Sequence, residues 1–294
     1  MTGDVLLAHR ADVFSQNGED GVIDRLFQIL GISCGICCEF GAWDGVHFSN
    51  TRRLILSGWT GIMIEPDEDK YQRLRETYRG VARVHCLNEC VEPEGNTLAA
   101  IFARHRLGGL AAQMDLLSID IDGLDYEIFR GLDLRPSVIC VEVNAGHSPF
   151  DERMITREIA ARNVGQPLAV FSRTAEEMGY GLICYTGNAF YVRRDVLRAG
   201  GLFSLTDGEA YIDFLHGLSI RQREWLWLVN RGVAPPYYAF GNPLLARAPL
   251  GITRTRAAML VLEGGVRFSP VTRIVTSLPQ LAKRFAETVR RETG

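Results

Sequence analysis

The chain has 294 residues, with 32 Lys and Arg against 35 Asp and Glu, a formal net charge of −3. Its composition, 47 % apolar and 23 % charged, excludes a disordered or collagen-like chain. The near-neutral balance argues against a general nucleic-acid binder, whose surface is strongly basic. The longest apolar runs, such as Ser137 to Val143, fall far short of the roughly 20 residues a spanning helix needs, so no transmembrane segment is expected. Met1 to Arg10 has no basic stretch followed by an apolar one, so no signal peptide is expected either.

The first clear element is a helix from Glu19 to Leu30, where Val22, Ile23, Leu26, Phe27 and Leu30 recur at helical spacing. Ser15 or Asn17 is placed to cap it, and Gly31 to stop it. Short apolar runs then alternate with helical patterns. Ile36–Phe40 reads as a buried strand, Asn50–Leu56 as a short helix, Gly61–Glu65 as a second strand and Asp67–Tyr78 as a charged surface helix. Val81–Leu87 is a third strand, Thr97–Arg106 a helix and Asp115–Ile121 a fourth strand. Leu124–Leu132 is a helix and Val138–Val143 a fifth strand. Such alternation implies a parallel sheet covered on both faces. After a helix near Thr174–Met178 the pattern changes: Gly181–Thr186 and Ala189–Arg193 flank Gly187-Asn188, a tight-hairpin signal. A parallel sheet therefore ends in an antiparallel pair.

Beyond about Ala199 the character shifts, dividing the chain into residues 1–199 and a helical extension, 200–294. Tyr211–Leu228 looks helical, Pro235-Pro236-Tyr237-Tyr238 is a loop, and from Leu245 to Gly294 nine basic residues face three acidic ones. Two readings of this extension stay open. It packs on the domain or on a twin subunit, making a homodimer, or it meets a membrane surface or an acidic partner.

Seven cysteines, Cys34, Cys37, Cys38, Cys86, Cys90, Cys140 and Cys184, form an odd set, and several sit in apolar runs. Free buried thiols in a reducing, cytoplasmic setting account for them better than a disulfide framework. Zinc is disfavoured, because Cys34 precedes the first strand while Cys86 closes the third, at opposite ends of a parallel sheet.

In open parallel sheets, ligands sit beyond the carboxyl ends of the strands. After the first strand comes Glu39-Phe40-Gly41-Ala42-Trp43-Asp44-Gly45, whose glycines permit a tight turn and close approach of a ligand. The spacing is not the G-x-G-x-x-G of a dinucleotide loop. After the second strand comes Glu65-Pro66-Asp67, where a lone carboxylate can accept both hydroxyls of a ribose. The alternative is a tight turn with a helix-capping acid.

Ser15-Gln16-Asn17-Gly18-Glu19-Asp20, the Glu39–Gly45 segment, Ser49-Asn50-Thr51, Gly58-Trp59-Thr60-Gly61-Ile62-Met63-Ile64-Glu65-Pro66 and Asp115-Leu116-Leu117-Ser118-Ile119-Asp120-Ile121-Asp122-Gly123 follow one another in that order. Together they resemble the FkbM-type branch of the class I S-adenosylmethionine-dependent methyltransferases, over about Val13 to Asp195. The resemblance implies an α/β fold: a Rossmann-like, mostly parallel sheet of seven strands with an antiparallel last strand. It implies S-adenosylmethionine as cofactor. By position, Gly41, Ala42 and Asp44 of the turn would lie along its methionine part, with Glu39 beneath. Glu65 would bind the ribose, and Leu87-Asn88-Glu89 would border the adenine. Asp120 would face the amine or the reaction centre, and Gln16 and Asn17 would close over the cofactor.

Asp120, Asp122, Asp125 and Glu142 are the chemically pointed acids, since the ends of the fourth and fifth strands are neighbours. With Asn144 they form an oxygen-rich set suited to Mg²⁺, which would lower the pKa of a substrate hydroxyl. Related natural-product O-methyltransferases use acids after these two strands in this way, but the second acid beside Glu142 is missing here. Alternatively Asp120 binds the cofactor amine and Asp122 caps the following helix. His147 and His47, both on loops after strands, are the candidate bases; for each, an ordinary loop histidine is the competing account.

The expected function is thus cytoplasmic methyl transfer to a hydroxyl of a small-molecule or glycan acceptor, such as a sugar or secondary metabolite. The competing readings are an NAD-dependent oxidoreductase, since Glu65 also suits an adenosine ribose, and a non-catalytic cofactor-binding module acting through its C-terminal helices. The acceptor pocket is expected near Val13–Asn17, Asn144–Phe150 and the region after Ala199, with Phe14, Phe150, Tyr237, Tyr238 and Phe240 as its aromatics.

Overall fold

The computed structural model describes residues 6–121, 123–143, 152–155 and 165–217. The apolar runs form one seven-stranded sheet: β1 (Ile36–Phe40), β2 (Thr60–Ile64), β3 (Val84–Leu87), β4 (Leu116–Ile119), β5 (Val138–Glu142), β6 (Tyr180–Tyr185) and β7 (Asn188–Arg193). Their order across the sheet is β3-β2-β1-β4-β5-β7-β6. The first five strands pair in parallel, β7 runs antiparallel to β5, and β6 antiparallel to β7. This is the Rossmann-like sheet with a reversed last strand that the motifs imply. The order turns back between β1 and β4, the switch point where such sheets bind ligands.

Both faces of the sheet are buried, which is why its strands read as continuous apolar runs. On one face Cys37, Met63, Leu116, Val138, Cys140 and Phe190 meet α1 (Glu19–Leu30), α2 (Arg52–Leu56) and α3 (Glu68–Thr77) through Ile23, Leu26, Phe27, Leu54 and Leu74. Phe27 stands edge-on to Trp59 at 4.6 Å. Trp59 is buried, and truncating such a side chain to alanine costs about 3–5 kcal/mol. On the other face α6 (Asp125–Arg130) and α7 (Leu168–Glu177) bring Tyr126, Phe129 and Phe171 into ring contact with one another and with Tyr191 of β7. Further helices among the described residues are α4 (Leu98–Arg104), α5 (Gly108–Ala111), α8 (Arg194–Ala199) and α9 (Asp207–Gly217).

Helix α1 and strand β1 have the bounds expected from their periodicity. The cap of α1 differs: Gly18, at φ 95°, occupies the cap position without a side-chain bond. Ser15 still contributes, its Oγ accepting from Asp20 N at 3.1 Å. The hairpin turn falls on Thr186-Gly187, with Asn188 already in β7. Helix α7 begins at Leu168, well before the expected Thr174, and its first turns bury Leu168, Val170 and Phe171. Helix α9 starts at Asp207, ahead of the expected Tyr211, where Thr206 and Glu209 exchange hydrogen bonds as a capping box.

The compact unit that contains the sheet extends to Gly217, past the expected boundary at Ala199. Leu205 N donates to Leu182 O at 2.7 Å, and Phe214 packs on Tyr185 at 4.8 Å, so residues 200–217 belong with β6. The second unit, 145–148 with 218–294, lies outside the described residues, and with it the helix to Leu228, the basic stretch and Tyr237, Tyr238 and Phe240. No helix among the described residues is long and apolar enough to cross a membrane.

Candidate functional site

The register of the parallel strands aligns the sequence-predicted residues. Leu87, Ile64, Phe40, Ile119 and Val141 are mutual partners across β3, β2, β1, β4 and β5. The next residue on each strand is therefore Asn88, Glu65, Gly41, Asp120 and Glu142, a single row along the carboxyl edge. Glu142 in turn pairs with Asn188. At the centre, over the switch point, is a glycine with a carboxylate on either side. Among those five residues three are acids and none is basic.

The loop after β1 is fixed from several directions. Gly41 has φ 77°, and a Cβ there would lie 2.0 Å from the Asp120 carbonyl oxygen. Its lack of a side chain thus serves the approach of β1 to β4. At Gly45 a Cβ would strike the rings and methyls of Tyr78 and Leu74. Protein contacts alone therefore require glycine at both positions, in keeping with the tight turn expected there. Asp44 accepts from Val46 N and His47 N, both at 2.9 Å, and meets His47 Nδ1 at 2.6 Å. Partial burial opposes the Asp44 charge, but these hydrogen bonds outweigh it and hold the carboxyl below its ordinary value. Trp43 and Phe48 both have positive φ, 47° and 56°, a conformation that bulky residues adopt only where surrounding contacts impose it. Arg52 Nη1 and Tyr78 OH both donate to Gly45 O.

Glu65 is buried, and each carboxylate oxygen accepts a backbone hydrogen bond, from Trp43 N at 2.8 Å and from Asp67 N at 2.9 Å. It ties the β1 loop to the turn that starts α3. The capping of α3 belongs to Asp67, whose Oδ1 accepts from Lys70 N, so cap and row residue are separate acids. Each Glu65 oxygen keeps a second lone pair. Asn88 Nδ2 donates to Glu68 at 3.0 Å, and Glu89 gathers His105, Arg104 and Asn96.

Beneath the row lies a buried polar seam that sequence reasoning placed only in part. Glu39 accepts from Ser49 Oγ at 2.6 Å, Asn50 N at 2.7 Å and Thr51 Oγ1 at 2.8 Å. Burial pushes its carboxyl above the ordinary value of 4.5, and those hydrogen bonds offset part of the rise. Asn50 Nδ2 continues the seam to Ser118 Oγ at 3.1 Å. The signal was present in the text: a buried strand acid followed by Ser-Asn-Thr, three donors with no charge. Cys140 closes the seam; burial raises its thiol well above 9.0, and Glu19, Asp120 and Glu39 act on it in the same direction.

The segment before α1 folds onto two acids. Asp20 Oδ2 accepts from the backbone N–H groups of Val13, Phe14 and Ser15 at 2.7–2.9 Å, while Oδ1 is buried with no hydrogen-bond partner among the described residues. Glu19 accepts from Asn17 N at 2.7 Å and from Thr186 Oγ1 at 2.6 Å, which anchors the segment to the tip of the β6–β7 hairpin. Burial raises the Glu19 carboxyl, with the Thr186 and Asn17 bonds working against it. Gln16 is exposed and Asn17 half-buried.

After β4, the loop is organised by Asp125, whose two oxygens accept from Ile121 N at 2.8 Å and Gly123 N at 2.9 Å. Asp125 is thus a loop anchor, not a free member of an acidic cluster. Asp120 and Glu142 are half-buried neighbours in the row. Asp122, Asn144 and His147 lie outside the described residues, as does Phe150. Among the described residues no group of three or more His, Cys, Asp or Glu is arranged to hold a metal ion. All seven cysteines are free, with Cys37, Cys38, Cys140 and Cys184 buried.

No protein-family model matches the chain, and no curated protein matches it. Among solved structures it is similar to the N-terminal domain of EvdMO1 with SAH bound. The TM-score is 0.34 at 12 % identity, over 63 % of this chain and 70 % of that one. It is also similar to the mitomycin 7-O-methyltransferase MmcR, with a TM-score of 0.33 at 14 % identity, over 59 % of this chain and 55 % of that one.

Proposed function

We propose that the chain is an S-adenosylmethionine-dependent methyltransferase acting on a hydroxyl of a small-molecule or glycan acceptor. The observation that carries this reading is the row Asn88, Glu65, Gly41, Asp120 and Glu142 at the switch point of a sheet with a reversed β7. An acidic row without a lysine or arginine suits a ligand bearing a sulfonium and an ammonium. It disfavours the pyrophosphate of NAD, which prefers a glycine-rich turn and a helix N-terminus. The oxidoreductase reading is weakened further by the absence of G-x-G-x-x-G after β1.

In this reading Glu65 takes the ribose hydroxyls on its remaining lone pairs, and Asn88 borders the adenine. Asp120 faces the amine, and residues 41–45 run along the methionine chain. Gln16 and Asn17, anchored through Glu19 and Thr186, cover the site. The cofactor, when bound, supplies a methyl group on a positively charged sulfur. The chain's part is to align the acceptor hydroxyl and to receive its proton. His47 is the oriented candidate base, because Asp44 fixes its Nδ1. His147 is the second candidate. Magnesium assistance is a separable part of the proposal: Asp120 and Glu142 would hold the ion, which would lower the pKa of the acceptor hydroxyl, as two carboxylates with waters and substrate suit that ion.

Calorimetric titration with S-adenosylmethionine, S-adenosylhomocysteine and NAD tests the reading. Micromolar binding of the adenosyl sulfur compounds alone is expected. Binding of NAD alone overturns it, and binding of none transfers the weight to a non-catalytic module. Turnover that survives a chelator removes the magnesium part only.

A further inference from the structure

The amino end of the sheet carries a cleft of about 850 Å³ that the proposed reaction does not use. It lies between α4 and α5, the loop before β5, and α8 at the end of β7, across the sheet from the row at the carboxyl edge. Phe102, Ala103 and Ala111 give it an apolar wall, and the small side chains of α4 and α5 leave the space open. Its rim carries Arg135, Arg193, Arg194 and Arg198 against Asp133 and Asp195.

The arginines are not equivalent. Arg193 is held by Asp195 through two bonds, at 2.7 and 3.1 Å, which compensates both charges. Arg135 donates to Met178 O and lies over the Tyr180 ring at 5.9 Å. Arg194 and Arg198 are exposed, one helical turn apart on α8, and neither side chain has a hydrogen bond or ion pair with another described residue. The cleft thus combines an apolar wall, a volume in the range of small-molecule sites and two unmatched cations at its mouth. The chain's own stretch from Leu245 to Gly294 has nine basic and three acidic residues, so its charge does not complement this rim.

We propose that this cleft is a second binding site, for a small organic anion: an acidic group carried on a flat apolar body. The acid pairs with Arg194 and Arg198, and the body lies against Phe102, Ala103 and Ala111. Carboxylate, sulfonate and phosphate share this chemistry.

The test is fluorescence titration of the full chain with anilinonaphthalenesulfonate, and in parallel with phenylnaphthylamine, its analogue without the acid. One saturable sulfonate site is expected, undisturbed by excess S-adenosylhomocysteine. The double variant Arg194→Ser, Arg198→Ser should weaken the sulfonate roughly tenfold or more, about 1.4 kcal/mol per tenfold, and change the neutral dye less than about twofold. Arg194→Lys with Arg198→Lys should retain most of the affinity. Ala103→Trp, at an exposed position, should abolish binding of both dyes while the circular dichroism spectrum is unchanged. The proposal is overturned by absent sulfonate binding, by equal loss of both dyes in the serine variant, by displacement with S-adenosylhomocysteine, or by a second copy of the chain occupying the cleft in the solution mass.

Discussion

At the carboxyl end of the sheet four acids, Glu39, Asp20, Glu65 and Asp125, turn inward and are satisfied by backbone N–H and hydroxyl groups; at the amino end Asp195 stands at the surface and pairs with Arg193. Glu39 takes three donors, Asp20 three, Glu65 two and Asp125 two, and none of those donors is a cation. The same end gathers the row residues. By contrast Asp195 is 57 % exposed in its pairing with Arg193. Inward carboxylates act as loop anchors, and buried hydrogen bonds to charged groups are worth more than exposed pairs. The geometry of the candidate site is therefore set by acids, while the amino end keeps cations available.

Substitutions sharpen this contrast. The largest effect is expected on turnover: Asp120→Asn and Glu142→Gln should each abolish methyl transfer and leave the circular dichroism spectrum intact. Substantial remaining activity in either would remove that residue from the chemistry. Next comes stability. Asp20→Ala strands three backbone donors and should cost about 2–4 kcal/mol in a denaturant titration; a loss below about 0.5 kcal/mol would mean that the leading segment is not held by this acid. Glu65→Ala should weaken S-adenosylhomocysteine roughly tenfold or more, about 1.4 kcal/mol, through its lost charge-assisted hydrogen bonds. Unchanged affinity in a folded variant would reduce Glu65 to its loop-tying role.

A pH comparison isolates the cost of the buried acids. Because the native carboxyl of Glu39 is raised above 4.5, the folded state binds more protons than the unfolded state between 4.5 and that higher value. Its contribution therefore falls as pH rises through this window. Glu39→Gln should gain on the native protein in melting temperature on going from pH 5 to pH 7; a constant difference would contradict the assignment. The smallest effect belongs to the amino end, where Asp195→Ala should cost less than about 1 kcal/mol. A larger loss would erase the contrast between the two ends.

Much of the fold was legible because burial on two faces leaves a clear mark. Ile36–Phe40 could be read as a strand from its apolar run, and Val22 through Leu30 as a helix from its spacing. The positions of Glu65, Asp120 and Glu142 at the strand ends also followed from the text. What each acid does locally did not, because its partners are set by loop geometry. Nothing in the spacing says that Glu65 receives Trp43 N, or that Asp125 receives the two N–H groups after β4. Likewise nothing in the spacing says that Gly41 must lack a side chain because the Asp120 carbonyl lies against it. Helix α9 was displaced because its start is a Thr206–Glu209 exchange rather than an apolar stripe.

The central claim is that the row at the carboxyl edge, between Glu65 and Asp120, is a nucleoside site. A crystal structure with S-adenosylhomocysteine tests it most directly. The account predicts ribose hydroxyls against Glu65 and the amino-acid end against Asp120 and residues 41–45. Ligand density elsewhere, at the arginine cleft for instance, with the row left bare, would contradict it.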